Sequence, residues 1–93
     1  MRRIEPTTQF RKDYKREAKG PFRAQLDDLL TPIVRKLASD LPLEAKHHDH
    51  PLSGEWKDHR DCHIKPNLIL IYRKPKDSLL QLVRLGSHSE LGL

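Results

Sequence analysis

The run Leu68–Lys74, LILIYRK, constrains this chain more than any other stretch. Its residues are apolar at consecutive positions, so a strand built from it carries apolar side chains on both faces. A chain of 93 residues can bury enough surface for one modest core and no second one. The run therefore predicts the central strand of a single small sheet, over one domain spanning residues 1–93.

Its neighbours follow from period-two patterns. Arg60–Lys65 alternates, with Arg60, Cys62 and Ile64 on one side and Asp61, His63 and Lys65 on the other. Leu79–Gly86 pairs with the central run across a turn at Lys74–Ser78, giving an antiparallel meander. Arg2 to Pro6 reads as a short edge strand closed by its proline.

The cover is helical. Thr7 or Thr8 caps a helix from Thr8 to Lys19 whose apolar residues Phe10, Tyr14 and Ala18 form one narrow face. Gly20 stops it, and Pro21 suits the first turn of the next helix. There Leu26, Leu29, Leu30, Ile33, Val34 and Leu37 make a broad stripe at helical spacing. Pro32 removes a backbone donor, which predicts a kink or a restart capped by Thr31. Pro42 ends the helical region, and residues 43–58 read as loop, with Pro51 and Gly54 as breakers. The expected fold is α+β: a short N-terminal strand and an antiparallel two-helix hairpin packed on an antiparallel sheet.

Lys and Arg outnumber Asp and Glu by 18 to 13, a balance of +5 that favours an acidic partner. Arg11, Lys15 and Lys19 form one row on the first helix, and Lys12 and Arg16 the next. Such a stripe is either a solvated face or, together with Lys65, a surface for RNA. The lone Cys62 forms no internal disulfide and suits a reducing cytoplasm. No apolar run is long enough to span a membrane.

Five of the six histidines lie between residues 47 and 63. A structural zinc site wants four ligands at regular spacings, whereas His47, His48 and His50 are crowded and no second cysteine exists, so no metal is expected. Accident is the second reading: His47, His48 and His59 as solvated loop residues, with Trp56 as a plug beneath the loop. Proton transfer is the third. Two imidazoles flanking a reacting centre serve as base and acid near neutral pH, and RNA carries its own nucleophile in the 2′-hydroxyl. If His63 and Arg84 share the open sheet face, the loop histidines fold over them, and the tail Ser87–Leu93 places His88 at the rim.

Three blocks carry a resemblance: D-H-P-L-S-G-E-W-K at 49–57, R-D-C-H-I-K-P at 60–66, and R-L-G-S-H-S-E-L at 84–91. In this order and spacing, with the two-helix start, the chain resembles the YafQ branch of the RelE/ParE toxins, the toxin halves of bacterial type II toxin–antitoxin pairs. The resemblance implies a RelE-like, microbial-RNase-like fold and a ribosome-associated mRNA endonuclease without cofactor or metal. It implies a cognate antitoxin as partner, together with mRNA, ribosomal RNA, and operator DNA reached only through the antitoxin complex. By position, His50, His63 and His88 match the family's catalytic histidines and Arg84 its phosphate-binding arginine. His50 is then the base, His88 the acid, and His63 with Arg84 hold the phosphate; base and acid are interchangeable at this stage. The chain departs from the family at Asn67–Leu68, where an aspartate is usual, often followed by tryptophan. Asparagine keeps the hydrogen-bonding shape but exchanges no proton usefully. A proton-carrying aspartate would predict slow or absent cleavage here and favour the alternative, a toxin-fold protein that binds RNA, ribosome or antitoxin but cuts poorly.

Overall fold

The structure, a computed structural model, describes residues 1–93. One sheet contains β1 (Arg3–Pro6), β2 (His50–Pro51), β3 (Arg60–Lys65), β4 (Leu68–Lys76) and β5 (Leu79–Gly86) in the order β1-β5-β4-β3-β2. β2 to β5 are antiparallel neighbours, and β1 runs parallel to β5 at the far edge. Three helices complete the chain: α1 (Thr8–Glu17), α2 (Leu26–Ala38) and a single turn, α3 (His88–Leu91).

The apolar run is the centre of this sheet. Leu68, Leu70 and Tyr72 face the helices and join Phe10, Leu26, Leu30, Ile33, Leu37, Leu80 and Leu85 in one cluster of fifteen buried residues. Ile69 and Ile71 face the other way, where only Leu91 is buried with them and Leu52, Trp56 and Val83 pack alongside. Trp56 is thus the expected plug under the loop.

Thr7 caps α1 by accepting the Phe10 N–H. Tyr14 Oη donates to Asp27, tying α1 to the first turn of α2. The expected face Phe10–Tyr14–Ala18 packs on the core, and Asp13 and Glu17 are buried beside it. Several boundaries differ from the sequence reading. Residues 18–25 are turns, so Pro21 starts no helix. Pro32 lies inside an unbroken α2, without a restart at Thr31. One missing donor is outweighed by the apolar side chains Leu30, Ile33, Val34 and Leu37 buried on both sides of it. β4 runs on to Lys76, leaving Asp77–Ser78 as the turn. The loop at 43–58 contains strand β2 and two 3-10 turns, Ala45–His47 and Gly54–Trp56.

The position of Arg84 depends on a bulge. Tyr72 stands opposite Leu82 but Ile71 stands opposite Arg84, so Val83 is one residue too many for its partner strand. The extra residue places Arg84 across from Ile71 rather than in line with Leu80 and Leu82, which face the helices.

Candidate active site

The histidines converge at the β2–β3 end of the open face. β2 pairs with β3 so that His50 lies opposite Asp61. His63 is two residues further along β3, on the same side. His88, the first residue of α3, packs its ring edge-on against His63 at 5.3 Å between centroids. Residues distant in the chain, on β2, β3 and α3, therefore share one patch.

Each ring is held differently. His50 Nδ1 is 3.0 Å from the Pro51 carbonyl, which fixes its proton there, and Nε2 is 2.8 Å from Asp61 Oδ1. That second contact has the length of an ion pair but not the direction of a good hydrogen bond, and Asp61 Oδ1 has no other partner. Asp61 is 3% exposed. Burial raises its pKa, and His50, His63 and His88 only partly reverse this. Burial lowers the pKa of His63; Asp61 pulls it back up, but His88, His48 and His50 push it down again, so His63 is a neutral donor at pH 7.

Asn67 determines the orientation of His88. Its Oδ1 lies 3.0 Å from both the backbone N–H of His88 and its Nδ1. One carbonyl oxygen accepts two donors, which leaves His88 Nε2 for a substrate. The helix turn behind it is held by a capping box: Ser87 Oγ accepts from the Glu90 N–H, and Glu90 accepts from the Ser87 N–H. Leu68, by contrast, is fully buried in the helix-side core, so this position offers no stacking platform.

Arg84 stands across from Ile71 and is tied to Asp13. Its Nε donates to Asp13 Oδ2 at 2.7 Å. Asp13 is fully buried and also accepts from the Leu85 N–H, Arg16 and Gln9. β1 covers β5 only as far as Leu82, and Asp13 satisfies the bare strand edge beyond it. Burial alone would raise the Asp13 carboxyl, but the bonds from Arg84, Leu85 and Gln9 outweigh it and hold the pKa below the usual value. Arg16, read from the sequence as an RNA contact, pairs with Asp13, Glu17, Glu90 and the Leu85 carbonyl while its side chain stays 41% exposed. Gly86 makes room for it: a Cβ there would lie 2.7 Å from Arg16 Nη2. Arg11, Lys12 and Lys15 are exposed on α1, Lys19 is exposed in the turn after it, and Lys65 is exposed at the end of β3.

Sequence reasoning missed four groups. Asp61 reads as one more outward polar residue, yet it backs His50. Asp49 accepts from Tyr72 Oη at 2.6 Å and from Arg60 Nε at 3.2 Å, pinning the loop that carries His50. His48, taken as a solvated loop residue, packs on His63 at 5.4 Å. The signal for Asp13 was available: it falls at i+3 from Phe10, on the buried side of α1.

His50, Asp61 and His63 offer ligand atoms within 4.8 Å of one another, a set able to hold a divalent cation. Asp61 supplies the third donor that the histidines and the single cysteine do not provide.

Known proteins match this arrangement over nearly its whole length. The family described as the bacterial toxin of a type II toxin–antitoxin system, YafQ, matches residues 2–92. The mRNA interferase toxin YafQ of Escherichia coli K12 is 41% identical over 92 residues, 98% of this chain and 96% of that one. A metal-bound toxin from Helicobacter pylori superposes with a TM-score of 0.87 at 48% identity, covering 98% and 99% of the two chains. The E. coli DinJ–YafQ toxin–antitoxin complex superposes with a TM-score of 0.82 at 41% identity, covering 97% and 96%.

Proposed function

The chain belongs to the YafQ family of bacterial type II toxins, and from that premise we propose that it is an mRNA interferase, an endoribonuclease acting through histidine acid–base chemistry. The observation that carries this reading is the meeting of His50, His63 and His88 around one patch backed by Asp61. RNA cleavage without water as nucleophile needs three services: a base for the 2′-hydroxyl, donors for the charge on phosphorus, and an acid for the departing 5′ oxygen.

His50 and Asp61 form the base as a pair. When they carry no proton between them, His50 Nε2 accepts the hydroxyl proton and Asp61 stabilises the imidazolium formed. His63 donates a neutral N–H to the phosphate. Arg84 supplies charge through the donors that Asp13 does not take; an arginine has five. His88 Nε2 delivers the proton to the leaving oxygen, with Asn67 holding Nδ1. Orientation is thus the role of Asn67, and a side chain that cannot itself exchange a proton suffices for it. A divalent cation held by His50, Asp61 and His63 would supply positive charge beside the phosphate but would occupy Nε2 of His50; the scheme needs none.

Residues 1–93 act as one toxin domain in the cytoplasm. Its partners are mRNA on the ribosome and a cognate antitoxin, as the complex of the E. coli relative with DinJ supports; operator DNA is reached only through that complex. The exposed Arg11, Lys12, Lys15, Lys19 and Lys65 suit ribosomal RNA. The second reading, a weak cutter that mainly binds, is favoured only by asparagine at position 67.

The test is cleavage of RNA by purified protein in EDTA, with His50→Ala and His88→Ala beside wild type. Cleavage should survive EDTA and collapse in both variants; undiminished activity in both would reject the assignment. Asn67→Asp separates the two readings: a large gain in cutting would favour the binder, and robust wild-type cutting excludes it.

A further inference from the structure

We propose that Arg16 is a positioning residue for the acid of the reaction: through Glu90 it fixes α3, and with it His88, to the Asp13 carboxylate that also holds Arg84. The inference rests on the RNA-cleaving reading and adds to that site a support that none of its histidines provides.

α3 is four residues long, from His88 to Leu91. One turn of helix has no stability of its own, so contacts with the rest of the fold must set its position. The capping box closes the turn on itself, and Leu91 seats it against Ile69 and Ile71. A single apolar anchor fixes a point but not an orientation. Two other parts of the chain reach the turn with polar side chains. Asn67 meets its first residue, His88, and Arg16 on α1 meets its third, Glu90, with Nε 3.0 Å from Oε2. Asn67 orients the ring, and Arg16 holds the turn that carries the ring.

Arg16 is itself held before it meets Glu90. Its Nη1 donates to Asp13 Oδ1 at 3.1 Å, its Nη2 to the Leu85 carbonyl at 2.8 Å and its Nε to Glu17 at 3.0 Å. An exposed ion pair contributes little because two mobile side chains must be ordered to make it. Here the buried Asp13 has already ordered the guanidinium fork, so the pair with Glu90 is preorganised. Asp13 also accepts from Arg84 Nε at 2.7 Å and Nη2 at 3.4 Å. One buried carboxylate thereby sets Arg84 and, through Arg16 and Glu90, the proton donor in a single frame. The Ser87 N–H, with Arg16 adding to it, holds the Glu90 carboxyl below its ordinary range, so Glu90 meets Arg16 as an anion. Without Arg16, the Glu17 and Glu90 carboxyls would face each other with no cation between them.

Gly86 is an independent observation that points the same way. It ends β5, and its backbone does not lie in the left-handed region that requires glycine. A glycine in a strand otherwise weakens it. Its explanation here is space: a Cβ would lie 2.7 Å from Arg16 Nη2, 3.1 Å from Glu90 Oε1 and 3.3 Å from Glu90 Cβ. The strand gives up a side chain where the ion pair crosses it.

The experiment compares wild type, Arg16→Met, Glu90→Gln and the double variant in two assays: amide hydrogen exchange without RNA, and kcat and KM for RNA cleavage per folded molecule. Glu90→Gln keeps the cap, because a glutamine oxygen still accepts the Ser87 N–H, and cuts only the tie to Arg16; it serves even where Arg16→Met does not fold. Each single variant should exchange the His88 and Leu91 amides faster while the Ile71 amide keeps its wild-type rate. Each should lower kcat by roughly 10–10²-fold with KM unchanged. The double variant should match Arg16→Met, because both substitutions cut one contact. Leu70→Ala, destabilised within the helix-side core, should keep its kcat and so separates position from stability. The proposal is overturned if KM rises at unchanged kcat, which would make Arg16 an RNA contact, if the losses in the double variant multiply, or if α3 exchanges as in wild type. A wild type that cuts no RNA would refute the enzymatic reading, and the exchange measurement would still decide whether Arg16 holds the turn.

Discussion

The two faces of the sheet are built on opposite terms. The helix side buries fifteen residues in one apolar cluster. The open side buries three, and beyond them Asp61 and the histidines take the place a second layer would fill. One face holds the molecule together; the other buries a carboxylate whose Oδ1 meets only the ring of His50. Stability and chemistry therefore separate by the parity of residues along the same strands.

That separation can be broken experimentally. The largest effect should come from His88→Ala, which cuts RNA cleavage by about 10²–10⁴-fold while urea unfolding stays within about 0.5 kcal/mol of wild type. Asp13→Ala should act first on stability, removing about 3–5 kcal/mol in the same melt by leaving the positive charge of Arg84 without its buried partner. The pH dependence checks its origin. Asp13 has a depressed pKa in the fold, so its contribution is present above the unfolded value near 3.8 and is lost as pH falls through the folded one. The variant should accordingly lose less stability on acidification than wild type.

Leu70→Ala, on the helix side of the central strand, should cost about 2–5 kcal/mol and leave cleavage per folded molecule intact. The smallest effect sharpens the contrast most. Asp61 has a raised pKa, so the folded state binds more protons than the unfolded one above pH 3.8 and stability falls as pH rises. Asp61→Asn should stabilise at pH 7 by about 0.5–2 kcal/mol while slowing cleavage, read by thermal melts and rates on one sample. Destabilisation at pH 7 would show that Asp61 belongs to the structural side after all.

Much of the helix-covered face was legible in the sequence. Two strands fall where alternation placed them, Arg60–Lys65 and Leu79–Gly86, and the Leu26–Leu37 stripe lies in one helix. Alternation also sorted Asp61 and His63 away from Cys62 and Ile64. The site was legible as residues but not as geometry. A count of two cannot see the bulge at Val83 that re-aims Arg84, nor Asp13 waiting on another element to bind it. The pairing of His50 with Asp61 depends on a two-residue strand inside what composition reads as loop. His48 was set aside because exposure alone says nothing of which ring it touches.

The parallel pairing of β1 with β5 has a consequence in time. The first strand finds its partner only when residues 79 to 82 are present, at the other end of the chain. A sheet closed by so distant a contact pays its loop entropy late and folds slowly for its size. During synthesis the basic helix and the imidazoles of β2 and β3 emerge first, while Arg84 and His88 emerge last. A nascent chain therefore carries an unpaired first strand until residues 79–82 have emerged.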